Sequence, residues 1–272
     1  MQLRKLTILC LTGFLSILPG FVSALSFVYT NSQVSVGNLH ITPAAGGTIM
    51  FSSDPQYLDV KVWGMAQNSL GEYKYDANWQ NAFVDLSATT DIPLPPVTWA
   101  NGHGQANGST TTVAADSAVN IPPNQIGWAN SEGRGSLGQW FQIIGGSGTT
   151  DTTVSLDYSG HLSGSAGDNS FFRTEMSARL ELWDAMGSPD PLINMLGYQA
   201  LAGGPNETSN PNPWNIPITT LSQTVTLSYD TWYWIYLEAD SETRGQTPEP
   251  TPLLLMLPGL ALLARRHLRA SR

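Results

Sequence analysis

The sequence predicts an all-β protein, an antiparallel β-sandwich of jelly-roll type, and three observations carry that expectation. Apolar residues recur with a period of two along most of the chain. The alternating runs are short and separated by clusters of Gly, Pro, Asn and Ser. No stretch makes an amphipathic helix longer than about two turns.

Taken in order, the first element is a targeting segment. Arg4 and Lys5 precede an apolar run from Leu6 to Val22, which Pro19 and Gly20 break just before Val22-Ser23-Ala24. A basic start, a short apolar stretch and a small-x-small site are the parts of a secretory signal peptide, so residues 1–24 are expected to be cut away after Ala24. Cys10, the only cysteine, falls inside this signal. The exported part is then expected to have no disulfide, no thiolate nucleophile and no cysteine-ligated metal.

Residues 25–240 follow as the β-sandwich domain, long enough for one large core. Its clearest strand lies between Phe171 and Trp183, where Phe172, Thr174, Met176, Ala178, Leu180 and Leu182 alternate with Arg173, Glu175, Ser177, Arg179 and Glu181. That is a strand with one wet face. Similar runs occur at Leu25–Tyr29, Val34–Ile41, Thr48–Phe51, Tyr57–Trp63, Phe83–Leu86, Thr110–Val113, Trp140–Ile144, Thr152–Leu162, Leu192–Leu201, Leu221–Ser228 and Trp232–Leu237. Two stretches read as long irregular loops, Thr89–Gly138 with a hairpin on Thr110–Val113, and Gly203–Pro217. Ser188–Asn194 reads as one short helix. Residues 241–247 read as an exposed acidic linker.

The chain closes with Pro248-Glu249-Pro250, an apolar run from Pro252 to Ala264, and a basic cluster containing Arg265, Arg266 and Arg269. Thirteen residues make about 20 Å of helix, short of the ~30 Å hydrocarbon core of a bilayer. The arginines are of the kind that stay cytoplasmic. A short span of this kind suits a transient membrane handle better than a lasting anchor.

These three parts, in this order and behind a signal peptide, resemble the PEP-CTERM sorting signal of Gram-negative bacteria that make exopolysaccharide. The resemblance covers about 25 residues, 248–272, with Pro258 as a departure inside the apolar run. It implies transient insertion in the inner membrane, recognition by the membrane enzyme exosortase, cleavage near Pro248, Glu249 and Pro250, and residence at the cell surface or in the extracellular matrix. The segment "LSQTVTLSYDTWYWIYLEAD" also looks like the hairpin that ends the ectodomain in this family.

Charge narrows the partners. Residues 25–250 carry six Lys/Arg and all 21 Asp/Glu, a net charge of −15 that the whole-chain −9 conceals. Such a surface repels nucleic acid and anionic lipid.

Catalytic signals are sparse. There is no Gly-x-Ser-x-Gly elbow, and His40, His103 and His161 stand apart from one another in sequence, so no catalytic, metal or cofactor residues are assigned. Glu238, Asp240 and Glu242 would share one face if the last strand reached them, a set of hard oxygens that calcium could use or that an acidic linker would carry in solution. Asp54 with Asp59 and Asp184 with Asp190 carry no signal. The aromatic residues say more: Trp232, Trp234 and Tyr236 alternate with Tyr233, Ile235 and Leu237, and a row facing outward would be a stacking platform for sugar rings. Trp99, Trp128 and Trp214 are placed to cover that row or to bind.

The expectation is a non-enzymatic surface or matrix protein with a structural or adhesive role. The alternative is a carbohydrate-binding module for exopolysaccharide, and the third reading is a glycan hydrolase, which would need two carboxylates in one cleft.

Overall fold

In the computed structural model the described residues are 26–52, 57–67, 72–82, 86–94, 98–107, 111–123, 125–167, 169–185, 187–204 and 214–248. The signal peptide with Ala24, and the tail from Glu249 with its arginines, lie outside them.

Thirteen strands and no helix make up the described residues. The first half of the chain forms β1 (Val28–Pro43), β2 (Thr48–Phe51), β3 (Tyr57–Gln67), β4 (Tyr73–Ala82), β5 (Leu86–Leu94), β6 (Thr98–Asn107) and β7 (Thr112–Ile121). The second half forms β8 (Trp128–Ile144), β9 (Thr149–Ala166), β10 (Phe171–Asp184), β11 (Ile193–Gly203), β12 (Trp214–Ser228) and β13 (Trp232–Gln246). Two antiparallel sheets pack face to face. The first has the order β12-β9-β1-β7-β6-β5, and the second β11-β10-β13-β8-β3-β4 with β2 on the flank of β8.

The winding explains why the chain makes a sandwich. β8 pairs with β13 in the second sheet, β9 with β12 in the first, and β10 with β11 in the second again. An antiparallel ribbon is thus rolled around one core, as in a jelly roll. Inward residues alternate with outward ones along each strand. On β10 the inward set is Phe172, Thr174, Met176, Ala178, Leu180 and Leu182, all buried.

The core is uneven in thickness. One end is filled by Phe141, Ile143, Leu182, Tyr233 and Ile235. Toward β6 the filling shrinks to nothing: a Cβ on Gly133 would lie 2.1 Å from the His103 carbonyl oxygen, and one on Gly104 would lie 2.3 Å from that of Arg134. Backbone touches backbone across the two sheets. Between these extremes lies a polar strip, where the Ser117 and Ser241 hydroxyls meet at 2.8 Å and the Ser32 hydroxyl donates to the Glu175 carbonyl at 2.7 Å.

Four expectations are corrected. The stretch Thr89–Gly138 is mostly strand, from β5 into β8; on β6 and the first part of β8 the inward positions are Ala, Gly and Ser at the thin part of the core, which hides the alternation. The hairpin expected there is the whole β6–β7 pair. Ser188–Asn194 is a loop that enters β11 at Ile193, where Leu192 N–H donates to the Leu182 carbonyl and starts a ladder in place of a helical turn. Residues 241–246 are the second half of β13, hydrogen-bonded on both sides to β10 and β8, and Thr247 N–H bonds to the Gly127 carbonyl. The domain therefore runs past 240 to Thr247, directly against Pro248. Trp214–Pro217 likewise belongs to β12, not to a loop.

Gly133→Ala places a methyl group between two backbones that cannot move apart singly. It is expected to cost about 3 kcal/mol or more, as overpacking with no side chain to yield. Gly146→Ala meets the Tyr229 ring first, a side chain and not a backbone, and serves as the milder comparison. Thermal unfolding of both variants measures the difference.

Candidate functional site

The outward face of the second sheet gathers the functional residues. β13 runs near its middle, and because Tyr233, Ile235, Leu237, Ala239, Ser241 and Thr243 are buried inward, Trp232, Trp234, Tyr236, Glu238, Asp240 and Glu242 all point outward. The expected row does share this face. It is half-buried, and its continuation is acidic.

Registry adds what the sequence could not. Trp183 of β10, Trp234 of β13 and Trp140 of β8 stand side by side in one row across three strands. Trp234 meets Trp140 edge-on, with ring centroids 5.2 Å apart. Its indole also lies against Gly138, where a Cβ would come within 2.0 Å of the ring. Trp232 and Met50 flank Gln142 in the next row. Tyr236 turns away from this group: its hydroxyl donates to Glu238 at 2.7 Å, and burial followed by the Glu238 charge raises its pKa.

Beyond Tyr236 the face becomes an ionic lattice. Arg134 of β8 reaches Asp59 at 3.4 Å and Glu238 at 3.7 Å. Arg179 of β10 lies 3.7 Å from Glu181 and 3.9 Å from Glu238. Arg244 holds Glu242 at 2.6 Å, Arg173 holds Glu175, and Lys61 lies 3.8 Å from Glu132. Five of the six cations of residues 25–250 are on this one face. The Trp63 indole N–H donates to Glu132, which ties that ring to the lattice, and the Trp128 indole N–H donates to Gln67 at 2.6 Å.

Asp240 is the exception. Among the described residues it makes no ion pair, and its Oδ1 has no hydrogen-bond partner. Burial, with the nearby charges of Glu132, Glu238 and Glu242, pushes its carboxyl up to about 7 against a weaker opposing pull from Arg134. Asp240 lies in a hollow of about 170 Å³ between β11, β10 and β13, together with Glu175, Ser177, Arg179, Tyr198 and Glu242. Tyr198 and Leu196 of the edge strand β11 form its outer wall, 46% and 53% exposed.

The remaining sequence candidates are scattered. His103 lies 2.9 Å from Asp116 on the outer face of the first sheet, and His161 lies 2.7 Å from Asn215 near its edge. Trp214 is exposed on β12, Trp99 is on β6, and Asp54 lies outside the described residues. Asp184 accepts the Ser188 N–H at 3.2 Å, while Asp190 is exposed on the following loop. Glu238, Asp240 and Glu242 are aligned as expected, but arginines interleave them. Among the described residues no three His, Cys, Asp or Glu side chains are grouped to hold a metal ion. The hollow, Tyr198 and the cross-strand tryptophans were missed, although Arg-x-Glu at 173–175 and 179–181 is a visible signal of the lattice.

No protein-family model, no curated protein and no solved structure matches the chain.

Asp240 has a folded pKa near 7, above the ~3.8–3.9 of an unfolded chain, so the folded state binds the extra proton. Its contribution to stability is complete below about pH 4 and is lost as pH rises through about 7. Asp240→Asn removes that loss. The variant is expected to match the parent near pH 4 and to exceed it at pH 8 by up to about 4 kcal/mol, from ~1.4 kcal/mol per pKa unit. Denaturant unfolding at the two pH values measures it.

Proposed function

We propose that this chain is an exported protein of the cell surface or extracellular matrix, processed by exosortase near Pro248-Glu249-Pro250, whose sandwich gives structure or adhesion by holding exopolysaccharide on the outward face of the second sheet. The observation that carries the adhesive part is the tryptophan row Trp183–Trp234–Trp140 beside a lattice of carboxylates and arginines. Polysaccharides need both: indole faces pack against the C–H faces of sugar rings, and charged groups bond to hydroxyls. The sorting part rests on the tail residues. Its support in the fold is that the domain's last strand ends at Gln246, two residues before Pro248 in the sequence.

The role is binding, not hydrolysis. The hollow does hold three carboxylates, yet Glu175 and Glu242 are each tied to an arginine. Two free carboxyl groups facing one bond are what glycoside hydrolysis requires.

Two measurements test this reading. Mature protein from the producing cell is expected to lack the residues after Pro250, with Ser in place of Arg265, Arg266 and Arg269 impairing that processing; intact mass reads both. Recovery of the full C-terminus at the cell surface would overturn the sorting part. In a polysaccharide pull-down, Trp183→Ala combined with Trp234→Ala is expected to reduce retention at least tenfold, while loss of the half-buried Trp234 costs about 2 kcal/mol of stability. Retention unchanged in a variant that still folds would remove the adhesive part.

A further inference from the structure

The hollow beside β11 differs chemically from the tryptophan row. A wet ionic lattice neutralises its own charges, and here six carboxylates have done so with Arg or Lys. Asp240 has not, and it sits where a depression opens to solvent. Along its own strand it faces Glu238 and Glu242. From β8 it faces Arg134 and Glu132, and from β10 Ser177 with Glu175 and Arg179. Burial first, and then the charges of Glu132, Glu238 and Glu242, raise its carboxyl to about 7, and those three carboxylates make the local field negative. A cation is the missing component.

The shape limits which cation. A bare metal ion would find three carboxylates of which two already hold arginines, and it would leave the wall unused. That wall is Tyr198, an exposed phenol ring whose hydroxyl is fixed by donation to Glu175 and by Arg173 at 3.4 Å. A ring held in this way offers its face to a sugar ring or an ammonium group. Ser177, Glu175 and Glu242 supply acceptors for hydroxyls.

We propose that this hollow is a subsite for an amino sugar bearing a free amine, with the ammonium on Asp240 and the pyranose ring against Tyr198. The inference rests on the polysaccharide-binding reading and specifies one sugar class within it. An N-acetylated residue lacks the charge and carries extra bulk, so the subsite discriminates against it. Neutral stretches of the polymer remain with the tryptophan row, more than 10 Å away along β13 at about 3.3 Å per residue.

Calorimetric titration of the full protein at pH 6 with a β-linked glucosamine hexamer, and with the same hexamer fully N-acetylated, tests this. The free-amine hexamer is expected to bind at least tenfold more tightly. Asp240→Asn is expected to bring the two affinities within twofold of each other without lowering the melting temperature, so that lost binding is not lost folding. Tyr198→Ala is expected to weaken the free-amine hexamer and to leave the N-acetylated one, held by the tryptophan row, unchanged. Equal affinity of the parent for the two hexamers, or an Asp240→Asn variant that keeps the preference, overturns the subsite. If both hexamers bind equally and the Trp183/Trp234 double variant loses them, polysaccharide binding stands and the subsite alone fails. If neither binds and no polysaccharide is retained, both readings fail together. Calcium chloride alone, bound by the parent and not by Asp240→Asn, would reassign the hollow to a metal.

Discussion

The arrangement of this protein depends on the contact between β6 and β8, where the two sheets meet without side chains. Gly102 and Gly104 face the carbonyls of Glu132 and Arg134, and Gly133 and Gly135 face those of His103 and Gln105. Side chains alternate along a strand, so glycines turned inward at 133 and 135 oblige residues 132 and 134 to point out. Those are Glu132 and Arg134, the members of the ionic lattice nearest Asp240 on β8. The seam therefore fixes the height and direction of the lattice as well as the thickness of the core.

The same seam decided what could be read in the sequence. Period-two patterning shows a strand only when the inward residues are apolar and the outward ones are not. On β10 that holds, with Leu180 and Leu182 inside and Arg179 and Glu181 outside, and the strand was legible almost to its ends. On β6 and on the first part of β8 the inward residues are Ala100, Gly102, Gly104, Gly133 and Gly135, which look like loop. The second half of β13 fails for the same reason, since Ala239, Ser241, Thr243 and Gly245 fill its inward positions beside the polar strip. A core thinned by small residues conceals its own strands.

The site was partly legible. That Trp232, Trp234 and Tyr236 share a face follows from spacing alone. That Trp234 stands between Trp183 and Trp140 does not, because registry between residues 51 and 94 positions apart is set by the winding of the ribbon. The hollow is less accessible still: it needs Tyr198 from β11, Ser177 from β10 and Asp240 from β13 in one row across three strands, and no local pattern encodes that.

The lattice adds little to folding: where its cations reach solvent an ion pair contributes ~0–1 kcal/mol, where Asp59 and Glu238 are buried desolvation offsets much of the attraction, and an uncompensated buried carboxyl works against it. Concentrating five of six cations on one face of a domain with a charge of −15 is then hard to attribute to stability. The direction of β13 gives a second reason to place function there. Trp234 lies two residues into the strand and Gln246 ends it, twelve residues and about 40 Å apart. Phe27 and Val28, near the start of the described chain, lie at the Gln246 end, with the Val28 side chain against Gly245. Both ends of the domain thus leave by one pole, and the tryptophan row lies toward the other. Under the proposed sorting reading, a tail held at a membrane before its removal would leave the indoles at the pole facing away from it.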